Sequence, residues 1–330
     1  MGHAVRVEQL CKSFGDFDAV RGISFDVDAG ETFGFLGPNG AGKSTTISML
    51  CTLARPTRGD AWVAGRHIVD ERDAVRRRIG LVFQDPTLDD LLTAEENLIF
   101  HAVLYGVPGA EVRPRMDAVL DLVGLADRRN DLVRTFSGGM KRRLEIARGL
   151  LHSPRVLFLD EPTVGLDPQT RSHIWQYVTR LKDEQDITLF LTTHYMDEAE
   201  YCDRIAIIDN GTIVALDTPA NLKASVGADT VIVNTSDDAT AARQLRERLG
   251  IEATATGEGL RILVANGQAF VPRLFGGAID PTVRTVTVHR PSLDDVFFKY
   301  AGRAIRDAQV GAGDRLRASP MMRGFGAGRR

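Results

Sequence analysis

The sequence predicts an α/β fold built on a parallel sheet, with a smaller α+β unit behind it. Short, nearly continuous apolar runs alternate with helical stretches over the first ~220 residues, the pattern of strands covered by helices on both faces. A glycine-rich loop closes one of those runs and opens a helical one. After about Leu222 the continuous runs give way to alternating strand-like segments around a short helix.

Taken in order, Thr32-Phe33-Gly34-Phe35-Leu36 is a buried strand, and a helical run follows from Thr45 to Leu50. Ile79-Gly80-Leu81-Val82-Phe83, Val156-Leu157-Phe158-Leu159 and Thr188-Leu189-Phe190-Leu191 are strands of the same kind. Between Asp85 and Leu151 such runs stop, and Val112, Met116, Val119, Leu120 and Val123 recur at helical spacing. Residues 86–151 therefore read as a helical subdomain inserted into the α/β core. Ile205-Ala206-Ile207-Ile208 and Ile213-Val214-Ala215-Leu216, joined through Asn210-Gly211, predict a hairpin. Farther on, Val231-Ile232-Val233, Leu260 to Val264 and Val283 to Val288 are strand-like, and a helix from Ala241 to Leu249 stops at Gly250. The expected organisation is an α/β unit over 4–222, an α+β domain over 223–302 and a tail over 303–330. That tail is rich in Arg and Gly and has no apolar face, which predicts disorder; nucleic-acid binding through it is a second reading. No internal repeat is detectable.

Composition removes several classes of function. The chain has 330 residues, 43% hydrophobic and 26% charged, enough for about two domains with sizeable cores. Lys and Arg number 41 against 44 Asp and Glu, a net charge of −3, so no global basic field points to nucleic acid. No apolar run approaches the ~20 residues a membrane helix needs. The start, Met1-Gly2-His3-Ala4-Val5-Arg6, lacks the apolar stretch of a secretion signal. Cys11, Cys51 and Cys202 are odd in number and far apart, which excludes a CxxC metal motif and argues against a disulfide framework. The expectation is a cytosolic chain.

Gly37-Pro38-Asn39-Gly40-Ala41-Gly42-Lys43-Ser44 fits the phosphate-binding pattern G-x-x-x-x-G-K-[ST], with Thr45 opening the helix behind it. Glycines let the backbone curl so that N–H groups point at phosphate oxygens, and the helix adds the positive end of its dipole. In that pattern Lys43 reaches the β- and γ-phosphates and the Ser44 hydroxyl ligates Mg²⁺. The complementary half of a nucleotide site is an acidic pair ending another buried strand. Asp160 and Glu161 supply it, one placed to hold Mg²⁺ and the next to accept a proton from attacking water. No G-x-G-x-x-G fits, which removes a dinucleotide fold.

Phe136-Ser137-Gly138-Gly139-Met140 opens a further helix, with apolar positions at Leu144, Ala147 and Leu151, and so makes a second helix N-terminus able to grip phosphate. On these motifs the chain resembles the ATP-binding cassette (ABC) ATPases that drive transporters, a P-loop NTPase fold with an inserted helical subdomain. The resemblance implies that the grip by Ser137, Gly138 and Gly139 acts on ATP held by a second copy. Phe136 and Met140 depart from the usual Leu-Ser-Gly-Gly-Gln, the Met being common in one export branch. It further implies that Gln84 senses Mg²⁺, lytic water and the membrane subunit, and that Gly165-Leu166-Asp167 crosses the dimer interface. His194 falls at the γ-phosphate and Phe14 on adenine. Read alone, Gln84, Phe14 and His194 are an ordinary glutamine, aromatic and histidine; their order relative to the stronger motifs gives them these roles. His101 and His173 fit no ligand cluster.

The resemblance covers residues 4 to about 222. His289-Arg290-Pro291-Ser292-Leu293-Asp294-Asp295-Val296-Phe297-Phe298 is similar to the C-terminal segment of daunorubicin-resistance-type ABC-2 exporter ATPases. Read on its own it is a helix start, Ser292 capping with Asp295 at the third helical position. The implied function is the ATP-hydrolysing subunit of an ABC-2 exporter, a homodimer peripheral to the membrane that works on a separate permease without nucleic acid. A non-transport cassette ATPase and a module that binds ATP without turnover are the competing classes.

Overall fold

In the computed structural model of the protein, residues 2–300 are described, apart from residues 86 and 186 and the side chains of residues 181 and 183–185. The tail expected over 303–330 lies outside the described residues. Backbone contacts divide the described residues into two compact units, residues 2–219 with Tyr300, and Ala220–Lys299.

The first unit is organised by a six-stranded sheet in the order Thr212–Asp217, Arg204–Asp209, Thr32–Leu36, Thr188–Thr193, Val156–Asp160, Ile79–Val82. All neighbours pair in parallel except the hairpin strand Thr212–Asp217. Thr32–Leu36, Val156–Asp160 and Thr188–Thr193 are buried at every position, which is why their sequences carry no polar alternation. The hairpin turns through Asn210 and Gly211, both at positive φ (46° and 78°), as a two-residue type I′ connection requires.

A second sheet is antiparallel, in the order Phe17–Asp28, His3–Phe14, Arg58–Val63, Arg66–His67, and was not among the strands expected from sequence. Repeated register shifts along His3–Phe14 interrupt the period-two alternation that would mark a half-buried strand. The two sheets meet through aromatic packing. Phe25 of the antiparallel sheet stands 5.4–6.1 Å, centroid to centroid, from Phe33, Phe35 and Phe190 of the parallel one.

Between Ile79–Val82 and Val156–Asp160 the described residues make three α-helices, Ala94–Leu104, Gly109–Leu122 and Gly138–Leu150, with short 3-10 turns at Ala126–Arg128 and Val133–Thr135. The first opens on a capping box between Thr93 and Glu96. Met116, Val119, Leu120 and Val123 are buried, as their spacing predicts, while Val112 in the first turn is only half-buried. The third lies close against the sheet: a Cβ added at Gly80 would stand 2.3 Å from the carbonyl oxygen of Gly149. Backbone touches backbone there, and only glycine allows it.

The second unit runs strand Asp229–Thr235, helix Asp238–Leu249, strands Ala253–Thr256 and Gly259–Val264, helix Gly267–Arg273, strand Val283–His289. Its sheet is wholly antiparallel, with Asp229–Thr235 and Gly259–Val264 in the centre, a βαββαβ ferredoxin-like arrangement. Val231, Val233, Leu260 and Ile262 point to one face and bury Ala241, Leu245 and Phe270 of the helices. Gly250 ends the first helix in the left-handed conformation (φ 67°). The helix Leu293–Tyr300 starts on the expected reciprocal cap: Asp295 N–H donates to Ser292 Oγ at 3.2 Å, and Ser292 N–H to Asp295 Oδ2 at 2.8 Å.

Cys11, Cys51 and Cys202 are free and buried, and burial pushes the thiols of Cys51 and Cys202 up. Among the described residues no helix is long and apolar enough to cross a membrane.

The Gly80–Gly149 contact is directly testable. Gly80→Ala forces the helix off the sheet and should cost about 1–3 kcal/mol, the scale of core overpacking. For a domain of this size that lowers the unfolding midpoint by ~2–4 °C per kcal/mol. Gly149→Ala meets side-chain methyl groups alone, Leu157 Cδ1 at 3.3 Å and Val82 Cγ2 at 3.5 Å, and gains helix propensity, so calorimetric scans should show a smaller change.

Candidate functional site

Parallel pairing brings the carboxyl ends of four adjacent strands to one edge of the sheet. Leu36 pairs with Thr193, Asp160 with Thr192 and Val82 with Leu159. The loop after Leu36, the pair Asp160–Glu161, His194, and Phe83 with Gln84 therefore leave the sheet side by side. In open α/β sheets this edge is where ligands bind.

The loop depends on its glycines. A Cβ at Gly37 would lie 2.3 Å from Ile208 O, and one at Gly42, at φ 108°, 2.6 Å from Ala19 O. Helix Lys43–Leu50 starts immediately afterwards, so its first N–H groups have no acceptor within the helix and face the loop. Such a cradle fits the phosphates of a nucleotide.

Lys43 is buried, and its Nζ donates to Gly37 O at 2.8 Å and Pro38 O at 3.3 Å. The same Nζ stands 3.2 Å from Glu161 Oε1. Ser44 Oγ donates to Asp160 Oδ1 at 3.3 Å, and Thr192 Oγ1 donates to that oxygen at 2.5 Å. Thr192 Oγ1 also accepts the N–H of Glu161 at 3.0 Å. Glu161 itself adopts φ 47°, a left-handed conformation that L-residues other than Asn and Asp seldom take. This bend turns its carboxylate toward Lys43 on one side and His194 on the other, with Glu161 Oε2 3.4 Å from His194 Nδ1. That imidazole nitrogen is buried and has no hydrogen-bond partner, because the contact to Glu161 is poorly aligned.

Lys43, Ser44, Asp160, Glu161 and His194 thus form one cluster. Its Ser hydroxyl and Asp carboxylate are hard oxygen donors of the kind Mg²⁺ takes. A carboxylate beside a lysine and a histidine, at a phosphate cradle, can polarise water and stabilise negative charge.

The other expected site residues stand apart. Ser137 caps Gly138–Leu150, its Oγ accepting Met140 N–H at 3.3 Å, and both Ser137 and Gly138 are exposed. Asp167 accepts from Thr170 N–H at 3.0 Å and Oγ1 at 2.6 Å, which lowers its pKa and caps helix Pro168–Gln185. Phe14 is exposed with the Lys12 ammonium 4.9 Å over its ring. Asn39, Gly40 and Gln84 are exposed, Thr45 is half-buried, and Ala41 is buried. Among the described residues, no hydrogen bond or ion pair joins Phe14, Gln84, Ser137, Gly138, Gly139 or Asp167 to the cluster.

Sequence reasoning missed Thr192, which reads as one more strand residue, and the buried pair Arg142 and Glu145. The available signal for that pair was opposite charges three apart among the apolar positions of an amphipathic helix.

The family model for ABC transporters matches residues 20–164. The chain is 40% identical over 311 residues to the linearmycin resistance ATP-binding protein LnrL of Bacillus subtilis, covering 92% of this chain and 100% of that one. It is 40% identical over 313 residues to the daunorubicin/doxorubicin resistance ATP-binding protein DrrA of Streptomyces peucetius, covering 92% and 94%. A dimeric post-hydrolysis structure of the ATP-binding cassette MJ0796, bound to ADP and Pi, matches with TM-score 0.59 at 29% identity, covering 65% of this chain and 98% of that one. ABC ATPases bind ATP, dimerise and work with membrane permeases, and the phosphate cradle with its carboxylate pair is the equipment for that reaction. The chain belongs to the ABC transporter family, as an ATP-binding subunit whose ATPase activity is coupled to transport.

Proposed function

We propose that two copies of the chain hold MgATP between them and that its hydrolysis drives an ABC-2 export permease from the cytoplasmic face of the cell membrane. The observation that carries this reading is the cluster of Lys43, Ser44, Asp160, Glu161 and His194 at one sheet edge. The relatives are named for resistance to linearmycin and to daunorubicin/doxorubicin, which favours a drug, a lipid or a similar molecule as cargo.

In this reading the phosphates lie on the N–H groups of residues 37–45, and Lys43 leaves Glu161 to face the β- and γ-phosphates. Ser44 Oγ and Asp160 would hold Mg²⁺, with Gln84 at the end of the next strand as a further oxygen donor. When bound, the metal would supply positive charge against the phosphate oxygens. Glu161, released from Lys43, accepts the proton of the attacking water, and His194 donates toward the γ-phosphate. Phe14 offers an exposed face for adenine. Ser137, Gly138 and Gly139 of the second copy close over the γ-phosphate, with Asp167 at the interface.

A seat for the permease is proposed on the same unit. A groove of about 700 Å³ runs between strand Ile79–Val82 and helix Ala94–Leu104. Leu53, Phe83 and Leu104 line it with apolar surface exposed, and Arg76, Arg77 and Arg148 outnumber its acidic lining residue, Asp73. Its floor is uncharged: His101 stacks on Tyr105 at 4.4 Å, and burial holds the His101 pKa down to about 3. This chemistry suits a short amphipathic segment carrying an acidic residue, and Phe83 directly precedes Gln84.

Glu161→Gln keeps the size of the side chain and removes its basicity. Hydrolysis should fall ~10²–10⁴-fold, about 3–5 kcal/mol of barrier. Removing the carboxylate that competes for Lys43 should also tighten ATP binding, and the ATP-loaded dimer should accumulate in light scattering. Turnover near the wild-type rate would shift the water-activating role to another group, His194 first. The shared site is tested by mixing Ser137→Arg with Lys43→Ala chains: each is inactive alone, and the mixed dimer keeps one intact composite site, so occlusion of nucleotide should partly return. For the groove, Leu104→Asp should abolish co-purification of the permease while the isolated subunit still binds ATP.

A further inference from the structure

Buried charge ties the Asp160 strand to the loop that carries Gln84. Arg142 lies one turn into helix Gly138–Leu150 and is almost wholly buried. Its guanidinium donates to Pro162 O at 2.5 Å, to Asp160 O at 3.2 Å and to Phe83 O, and it pairs with Glu145 Oε2 at 3.1 Å. Glu145 has no exposed surface and turns its other oxygen to the loop, where Oε1 accepts Thr87 N–H at 2.7 Å and Thr87 Oγ1 at 3.3 Å. Arg148 completes the tie by donating to Thr87 O at 2.9 Å and to Thr87 Oγ1. Phe83 and Thr87 are thereby each fastened through the backbone, while Gln84, next to Phe83, is exposed.

A buried ion pair is a poor device for stability alone, since well-packed apolar residues of similar volume often do as well or better. Burial pulls the Arg142 and Arg148 pKa values down, and the Glu145 carboxylate opposes that shift. What apolar side chains cannot do is hold backbone carbonyls of separate segments in fixed relation. A planar guanidinium with five donors in a fork can. The three carbonyls it holds here belong to Asp160, to the residue after Glu161 and to the residue before Gln84.

We propose that Arg142 and Glu145 are positioning residues for hydrolysis, holding the Asp160–Glu161 segment in register with the Gln84 loop on the helix that presents Ser137. The inference rests on the reading of Asp160, Glu161 and Gln84 given above. Neither residue contacts the phosphate cradle, so nucleotide affinity and chemistry separate when the pair is altered.

The test uses the full chain. Arg142→Lys keeps the charge and loses the fork, whereas the pair Arg142→Met with Glu145→Met removes both charges together and leaves Arg148 its bonds to Thr87. Calorimetry with MgATP, steady-state kinetics and thermal unfolding are measured on each. The expected result is affinity and KM within about twofold of wild type and kcat lowered roughly ten- to a hundredfold, the scale on which a ~1 Å misplacement acts. Adding Gln84→Ala to Arg142→Lys should cost nothing further, because groups acting through one another are not additive. A folded variant with kcat within about twofold of wild type overturns the proposal, as does a parallel fall in affinity, kcat and melting temperature. If neither core variant folds, Thr87→Pro on the exposed loop removes both the N–H and the hydroxyl that Glu145 accepts from, and an unchanged kcat there overturns it equally. Should Gln84→Ala alone leave kcat unaltered, the role given to Gln84 fails, and the kcat of Arg142→Lys still decides the tie to Asp160.

Discussion

The site depends on one hydroxyl group. Thr192 donates to the Asp160 carboxylate and accepts the N–H of Glu161, so a single buried side chain fixes the two acidic residues relative to each other. It can do so only because Val156–Asp160 and Thr188–Thr193 pair in parallel with Asp160 opposite Thr192. A shift of one residue would turn that hydroxyl to the other face of the sheet. The left-handed backbone at Glu161 costs on the order of 1–3 kcal/mol. Its N–H is held by both Thr192 Oγ1 and Thr192 O, which offsets the strain and aims the carboxylate at Lys43 and His194.

Many of the buried polar groups in the first unit lie at or just behind this edge. Lys43, Arg142, Glu145, Asp160, Glu161, Thr163, Thr192 and Glu198 are all buried there, Glu31, Thr32 and Thr188 are buried at the opposite strand ends, and the middle of the sheet is phenylalanine, leucine, isoleucine and valine. Desolvating such groups is unfavourable unless each finds a partner. Most do: Thr163 Oγ1 donates to Glu198, Arg142 to three carbonyls and Lys43 to two. The fold spends its apolar packing on the centre of the sheet and carries its polar burden where the strands end.

Much of this unit was legible because a strand buried on both faces needs an unbroken apolar run, and Thr32–Leu36, Val156–Asp160 and Thr188–Thr193 supply one each. The antiparallel sheet was not, because bulges along His3–Phe14 break the alternation by which such strands are read. The chemistry of Lys43, Ser44, Asp160 and Glu161 follows from residue type and local motif. Their proximity does not, since Ser44 and Asp160 meet across 116 residues through a strand order that no local pattern encodes. Arg142 and Glu145 were hidden for a different reason. A charged pair on a helix ordinarily faces water, and only the tertiary packing reveals that this one faces carbonyl groups.

The contact of Gly80 with Gly149 has a mechanical meaning. With backbone against backbone, it sets how closely the carboxyl end of helix Gly138–Leu150 can approach the sheet, while Arg142 and Arg148 fasten the same helix to the neighbouring segments. Ser137, at the far end, is about 18 Å away at ~1.5 Å per residue. An angular error of only about 5° at that contact would therefore displace the Ser137 end by roughly 1.5 Å, half the length of a hydrogen bond. Two glycines without side chains thus set the aim of a serine a full helix away.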